Sequence, residues 1–145
     1  MSHNNKLSRN TRHGFTLIEI IVVVMIIAVL ATLIAPRLMS RVGTAKQTAA
    51  KAKAATIAKI IHLYALEMDI TIDNNNFELE YLLLSPENGG GPHGPYLERA
   101  DDIVDPWGNP FELLVPGEVN VSFDVICFGE DGEVGGEDVN ADITQ

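Results

Sequence analysis

The sequence predicts an α+β molecule. A long N-terminal α-helix, membrane-spanning in its first half, packs along its second half on a small antiparallel β-sheet head that ends in an acidic loop. Three observations predict this. Residues 15–35 form an apolar run, a pattern of helical period continues to Met68, and the last third alternates turn clusters with short β-branched and aromatic runs. The expected organisation is a basic leader at 1–14, a membrane helix at 15–36, an amphipathic helix at 37–68 and a globular head at 69–145.

Residues 15–35 read FTLIEIIVVVMIIAVLATLIA, apolar apart from Thr16, Glu19 and Thr32. At about 1.5 Å per residue the run covers about 31 Å, enough to cross a bilayer core. β-branched residues are frequent, but lipid supplies no partner for backbone N–H and C=O groups, so a helix is forced. An ordinary cleaved signal peptide is the alternative. The run is too long for a usual signal core, holds a carboxylate, and is followed by no immediate break. Orientation is ambiguous from charge alone. Lys6, Arg9 and Arg12 precede the segment, and Arg37, Arg41, Lys46, Lys51 and Lys53 follow it. Glu19 costs about 2–3 kcal/mol inside an apolar helix. Either it snorkels to the headgroups or it meets a positive partner from another chain. A cut before Phe15 would create such a partner, a new α-amino group beside this carboxylate.

From Pro36 the pattern changes. Ile57, Ile60, Ile61, Tyr64, Ala65 and Met68 fall at i, i+3, i+4, i+7, i+8 and i+11, one apolar face of a helix. One long helix is expected from about residue 15 to 68, bent near Pro36, with Gly43 a second weak point. His62 reads as a partly buried helix residue. Beyond it Asp73-Asn74-Asn75-Asn76 and Gly89-Gly90-Gly91-Pro92 mark turns. FELEYLLL (77–84) suits a short helix better than a strand, and His93 has no second ligand nearby. Asp105-Pro106-Trp107-Gly108-Asn109-Pro110 is a turn cluster with Trp107 packed beneath it. Residues 111–115 and 121–128 read as two strands. Cys127 reads as a small buried apolar residue.

The 145-residue chain carries 10 Lys and Arg against 20 Asp and Glu, a formal charge of −10. Every acid except Glu19 lies at or beyond Glu67, and every base except Arg99 lies at or before Lys59. A basic stem with an acidic head does not suit nucleic acid, which needs a basic binding face. The single Cys127 permits no intramolecular disulfide. A head this small is short of core material, so a metal or neighbouring subunits are expected to help hold it. Glu130, Asp131, Glu133, Glu137, Asp138 and Asp142 crowd together between Phe128 and Ile143, among four glycines. A divalent cation would relieve their repulsion, and calcium accepts flexible sets of oxygens. The spacing is not that of an EF-hand, and without a His or Cys cluster zinc is disfavoured. A solvated acidic tail is the alternative. No Ser/His/Asp or Cys/His set and no phosphate-binding glycine loop is apparent, so a non-catalytic role is expected.

Arg12-His13-Gly14-Phe15-Thr16-Leu17-Ile18-Glu19 resembles the prepilin processing site of type IV pilins and type II secretion pseudopilins. The resemblance implies cleavage between Gly14 and Phe15 by a membrane prepilin peptidase, N-methylation of Phe15, and a role in assembly for Glu19. It matches Pro36 to the family's helix-bending proline. It also leaves the leader in the cytoplasm, which makes the chain single-pass in a bacterial inner membrane with a periplasmic head. Loss of Lys6, Arg9 and Arg12 takes the formal charge from −10 to about −13. The 105–110 cluster, with Gly94-Pro95-Tyr96-Leu97 before it, resembles the major pseudopilin family of type II secretion, and 128–143 resembles that family's calcium loop. Between Met68 and Gly91 the chain lacks the family's Tyr-Pro and Gln-Gly pairs.

By that likeness Asp131, Asp138 and Asp142 would bind a structural Ca2+, with backbone carbonyls near Phe128 and Val134 completing the shell. The implied partners are copies of the chain in a helical filament, minor pseudopilins, the peptidase, an inner-membrane assembly platform and membrane lipid. A type IV pilin of a surface fibre is the related alternative, although such pilins usually carry a C-terminal disulfide. A monomeric membrane-anchored calcium-binding module is the alternative of another class, and it has no need of Glu19.

Overall fold

A computed structural model describes residues 14–145, so the expected leader, Gly14 apart, lies outside the described residues. Helix α1 runs from Leu17 to Met68 and remains helical through Pro36 and Gly43. The chain forms two units, one ending at Met39 and one from Ser40 to Gln145. In the first, Leu17–Ala35 is a span of 19 residues with mean hydropathy 3.1, long and apolar enough to cross a membrane. Its large apolar side chains are all exposed within the chain, from Leu17 to Ile34.

The second unit condenses on one face of α1. Ala50, Ala54, Ile57, Ile61 and Tyr64 are buried, each three or four residues from the last. Against this stripe lie Ile72, Phe77, Leu79, Leu82, Phe111, Phe123, Val125 and Cys127. Tyr64 is a hub, with ring centroids 5.1 Å from Phe77 and 5.7 Å from Tyr96. The expected face is confirmed at Ile57, Ile61 and Tyr64, while Ile60 and Ala65 pack at its edge. Met68, at the helix end, is 40% exposed. The face instead extends backwards through Ala54 and Ala50. Alanines surround the helix there, so hydropathy alone does not single these two out. His62 is exposed, its ring centroid 4.7 Å from that of Phe123.

The head's sheet is small and antiparallel, as expected, but has a third strand. Strands β1 (Glu112–Leu114), β2 (Asp124–Cys127) and β3 (Ile143–Thr144) lie in the order β1-β2-β3. Leu113 pairs with Val125, and Cys127 with Ile143. Gln145 prolongs the β3 edge, exchanging backbone hydrogen bonds with Val125 at 2.8 and 3.1 Å. The 77–84 segment contains a 3-10 helix, Leu79–Leu83, with Leu79 and Leu82 buried. Lys53 of α1 fastens a further 3-10 turn, Ala100–Ile103, donating to the carbonyls of Asp101 and, at 2.6 Å, Val104.

β2 begins later than the apolar pattern suggests because Asp124 gathers the preceding loop. One carboxylate oxygen accepts the N–H groups of Glu118 (2.7 Å) and Val119 (2.8 Å). The other accepts the N–H and the side-chain amide of Asn120, each at 2.8 Å. The chain therefore wraps around Asp124 instead of extending, and Val121 is left 98% exposed. Burial pushes the Asp124 pKa up, but the donors of Val119, Asn120 and Glu118 outweigh it and the net shift is downward.

A carboxyl depressed in the native state stabilises it above the ordinary aspartate range, and that contribution is lost as pH falls through the native value. Asp124→Asn turns an NH2 group towards two N–H donors. The expected cost is about 1–3 kcal/mol at neutral pH. Thermal unfolding should show a lower Tm and a shallower fall of Tm below about pH 4 than in the parent chain.

Candidate functional site

Two places carry the functional residues expected from the sequence, one at the start of α1 and one at the C-terminal loop. Gly14, Phe15 and Thr16 precede the helix, and Phe15 is 84% exposed. A Cβ built on Gly14 meets nothing within 4 Å, so folding does not require glycine there. Thr16 caps the helix reciprocally with Glu19. The Glu19 carboxylate accepts both the backbone N–H and the hydroxyl of Thr16 at 3.0 Å, and Thr16 Oγ1 accepts the Glu19 N–H at 3.3 Å. This is a capping box, satisfying donors that a helix start leaves orphaned. It was readable as Thr-x-x-Glu, a signal masked by the attention a charge in an apolar run attracts. Glu19 is thus an intrinsic part of the helix start as well as a charge within the apolar span.

The C-terminal loop, 128–142, leaves β2 and returns at β3, and four contacts seat it. Glu130 N–H donates to the Val139 carbonyl at 3.0 Å. The Asn109 side chain donates to the Gly129 carbonyl at 3.1 Å, and Gln47 of α1 donates to the Asp138 carbonyl. Val139 lies over Gly43, where a Cβ would come within 2.4 Å of Val139 Cγ1. Gly43 is therefore a notch for the loop and not a weak point in the helix. At Gly129, φ is +69° and a Cβ would lie 2.6 Å from the Asn140 backbone, so this turn needs glycine twice over.

Asp131, Asp138 and Asp142 are exposed on that loop. Asp131 accepts the Glu133 N–H at 3.2 Å, and Asp142 reaches across to accept the Gly135 N–H at 2.9 Å. Asp138 opens a 3-10 turn, Asp138–Asn140, with φ of 53°. The three share one loop but not one coordination shell. Among the described residues no three His, Cys, Asp or Glu side chains converge at metal-holding spacing. The donors are nonetheless hard carboxylate and carbonyl oxygens, the kind calcium takes.

Sequence reasoning missed Asp105, which is 6% exposed. Its Oδ1 accepts the N–H groups of Trp107, Gly108 and Asn109 at 2.8, 2.8 and 2.9 Å. Its Oδ2 accepts the Cys127 thiol at 3.2 Å. Burial, reinforced by Asp105, pushes the Cys127 pKa up to about 11, so the thiol stays protonated and inert at neutral pH. The Asp-Pro-x-Gly-Asn turn signal marked the site, though not the carboxylate's inward direction. By organising this turn, Asp105 places Asn109 where it holds Gly129. His93, given no role from sequence, lies 3.2 Å from Glu67. The Tyr96 hydroxyl donates to the same carboxylate and is the main cause of its lowered pKa.

A capped, exposed apolar helix that continues into the core of a small β head defines a class, the pilin-like membrane subunits. The family model for type II secretion system (T2SS) protein G matches residues 37–145, and a prokaryotic N-terminal methylation motif matches residues 9–35. The type II secretion system core protein G of Pseudomonas aeruginosa is 40% identical over 141 residues, covering 94% of this chain and 96% of that protein. Its namesake from Escherichia coli (strain K12) is 39% identical over 137 residues, 88% of each chain. That of Vibrio cholerae is 34% identical over 132 residues, 90% of this chain and 88% of that protein. The chain belongs to the type II secretion system protein G family.

Alanine for glycine inside a helix is ordinarily favourable by about 1 kcal/mol. At Gly43 the sign should reverse, because the new methyl meets Val139. Gly43→Ala is expected to cost about 1–3 kcal/mol by overpacking. Val139→Ala should restore most of the lost Tm, and an equal loss in both backgrounds would place the effect within the helix instead.

Proposed function

We propose that the chain is a structural, non-catalytic subunit of a type II secretion pseudopilus, cut after Gly14, N-methylated on Phe15 and polymerised with copies of itself. The observation that carries this reading is Glu19, fixed about one turn from Phe15 at the head of an exposed apolar span. After cleavage the α-amino group of one subunit neutralises the Glu19 carboxylate of another, removing the cost of both charges in lipid. The exposed Gly14, free of any packing demand, supports a sequence kept open for a peptidase. The leader stays cytoplasmic and the head is periplasmic. An inner-membrane assembly platform, powered by an ATPase, adds subunits, minor pseudopilins join the filament, and its extension drives secreted proteins outwards.

N-terminal peptide mass spectrometry on membranes of the native host tests the processing, with a chain beginning at N-methyl-Phe15 as the expected result. The assembly step is tested with Glu19→Gln, which keeps the capping-box hydrogen bond but removes the charge. That variant should insert and be cut as usual, yet yield no filaments. Normal filaments from it would reduce Glu19 to a helix cap.

The reading includes a structural calcium ion at the C-terminal loop, whose binding would draw Asp131, Asp138 and Asp142, apart in this structure, into one shell. Its support is the crowding of carboxylates on a loop already closed at its base by β2, β3 and Asn109. The ion offsets their repulsion and fastens the loop to the strands, a role a disulfide cannot take here. Binding to the native state alone raises apparent stability by mass action, about 2.7 kcal/mol at a hundredfold excess over Kd. Calcium should therefore raise the Tm of the parent chain, and Asp131→Ala should abolish the gain. An unchanged gain in that variant would remove Asp131 from the site.

A further inference from the structure

Around Lys59, the side of α1 turned away from the core is exposed and meets no partner among the described residues. Lys59 lies two residues from both Ile57 and Ile61, which puts it on the opposite side of the helix from the buried stripe. Leu63 and Leu66, at i+4 and i+7 from Lys59, share its face and are 46% and 78% exposed. Lys51, two turns back, lies beside Ala141, Asp142 and Ile143 of the chain's own C-terminal loop and is not part of this face. Lys59 is exposed, and among the described residues the ion pairs are His93–Glu67 and Arg99–Asp102, so Lys59 has no carboxylate partner there.

The complementary surface lies on the C-terminal loop. Val134 is 83% exposed at its tip, ringed in sequence by Glu130, Glu133 and Glu137. Those three glutamates are exposed and among the described residues their side chains make no hydrogen bond or ion pair, whereas Asp131 and Asp142 are engaged with loop N–H groups. The head beyond Lys59 has one basic residue, Arg99, and Asp102 holds it at 3.4 Å. The free acids of one head therefore find no matching cation on another head. They find it on another stem.

We propose that the Lys59–Leu63–Leu66 face of one subunit receives the Val134 tip of a second copy, with Glu130, Glu133 and Glu137 set around Lys59. An apolar centre within a charged rim is the usual anatomy of a protein interface. Charge complementarity fixes register and rejects like-charged approaches, here stem on stem and loop on loop. Two different patches meeting make a heterologous contact, and such contacts propagate into open filaments instead of closing as dimers. The glutamates used are separate from Asp131, Asp138 and Asp142, so docking does not compete for the proposed calcium ligands. This inference rests on the filament reading above.

The test uses the full chain in its native secretion-competent host, with sheared filaments as the readout. A parent chain that forms none overturns the filament reading and this contact with it. Where the parent assembles, Lys59→Glu should lower the filament fraction about tenfold. Glu133→Lys with Glu137→Lys in the Lys59→Glu background should return it to within about twofold of the parent. Lys59→Cys with Val134→Cys in one chain should oxidise to a ladder of multimers, since each subunit offers both halves of the contact. Wild-type assembly by Lys59→Glu, as expected of a face that meets lipid, overturns the proposal while leaving the filament intact. So does a loss that the reversed loop fails to repair, or cross-linking that stops at dimers.

Discussion

One apolar stripe on α1 is the surface on which the whole second unit depends. Strands of three, four and two residues are too short to stand alone, and no disulfide supports them. Each isoleucine buried on the stripe contributes about 1.5–3 kcal/mol, and Ile57, Ile61 and the Tyr64 ring gather the head's aromatic and aliphatic residues along about two turns. What the sheet cannot do for the backbone, two buried carboxylates do instead. Asp105 accepts three N–H groups of one turn, and Asp124 accepts three from another. Truncating either would orphan several donors at once, a larger loss than a single hydrogen bond suggests.

The first unit answers to a different solvent. Its apolar residues are exposed among the described residues, an exposure suited to lipid or to the same span in another copy. Within that constraint Glu19 reconciles two demands. As the reciprocal partner of Thr16 it completes the backbone hydrogen bonding at the helix start, where lipid would leave N–H groups unsatisfied. As a carboxylate it remains short of a counter-charge, which is why the proposed assembly step has a driving force.

Long-period features were readable from the sequence, and short ones were not. The apolar span and the i, i+3, i+4 stripe extend over many residues, and α1 follows them to Met68. The turn cluster at 105–110 was readable because Pro and Gly restrict the backbone locally. β3 was not, since two residues give no alternation to detect. Asp124 shortened β2 through its own side chain, which a hydropathy pattern does not register. Gly43 looked like a helix weakness, and its reason lies 96 residues away in Val139. At the candidate site, Asp131, Asp138 and Asp142 lie on one loop, but the turning of Asp131 and Asp142 towards backbone donors depends on glycine conformations that composition does not reveal.

The acidic residues of the head divide by direction, and the division has a consequence for assembly. Asp105 and Asp124 point inwards and are engaged by backbone donors, so they define the fold and are not available to a neighbour. Asp131, Asp138 and Asp142 lie where a divalent ion would be drawn, and Glu130, Glu133 and Glu137 remain for solvent or a neighbour. A head with its outer acids uncompensated repels other heads, which opposes their aggregation. The same acids favour contact with a basic stem. Calcium, by neutralising the aspartates and leaving the glutamates, would lower the general repulsion while keeping the directed attraction. Under the proposed calcium binding and docking, the metal and Lys59 would act on the same charge excess in turn, first to close the loop and then to dock it.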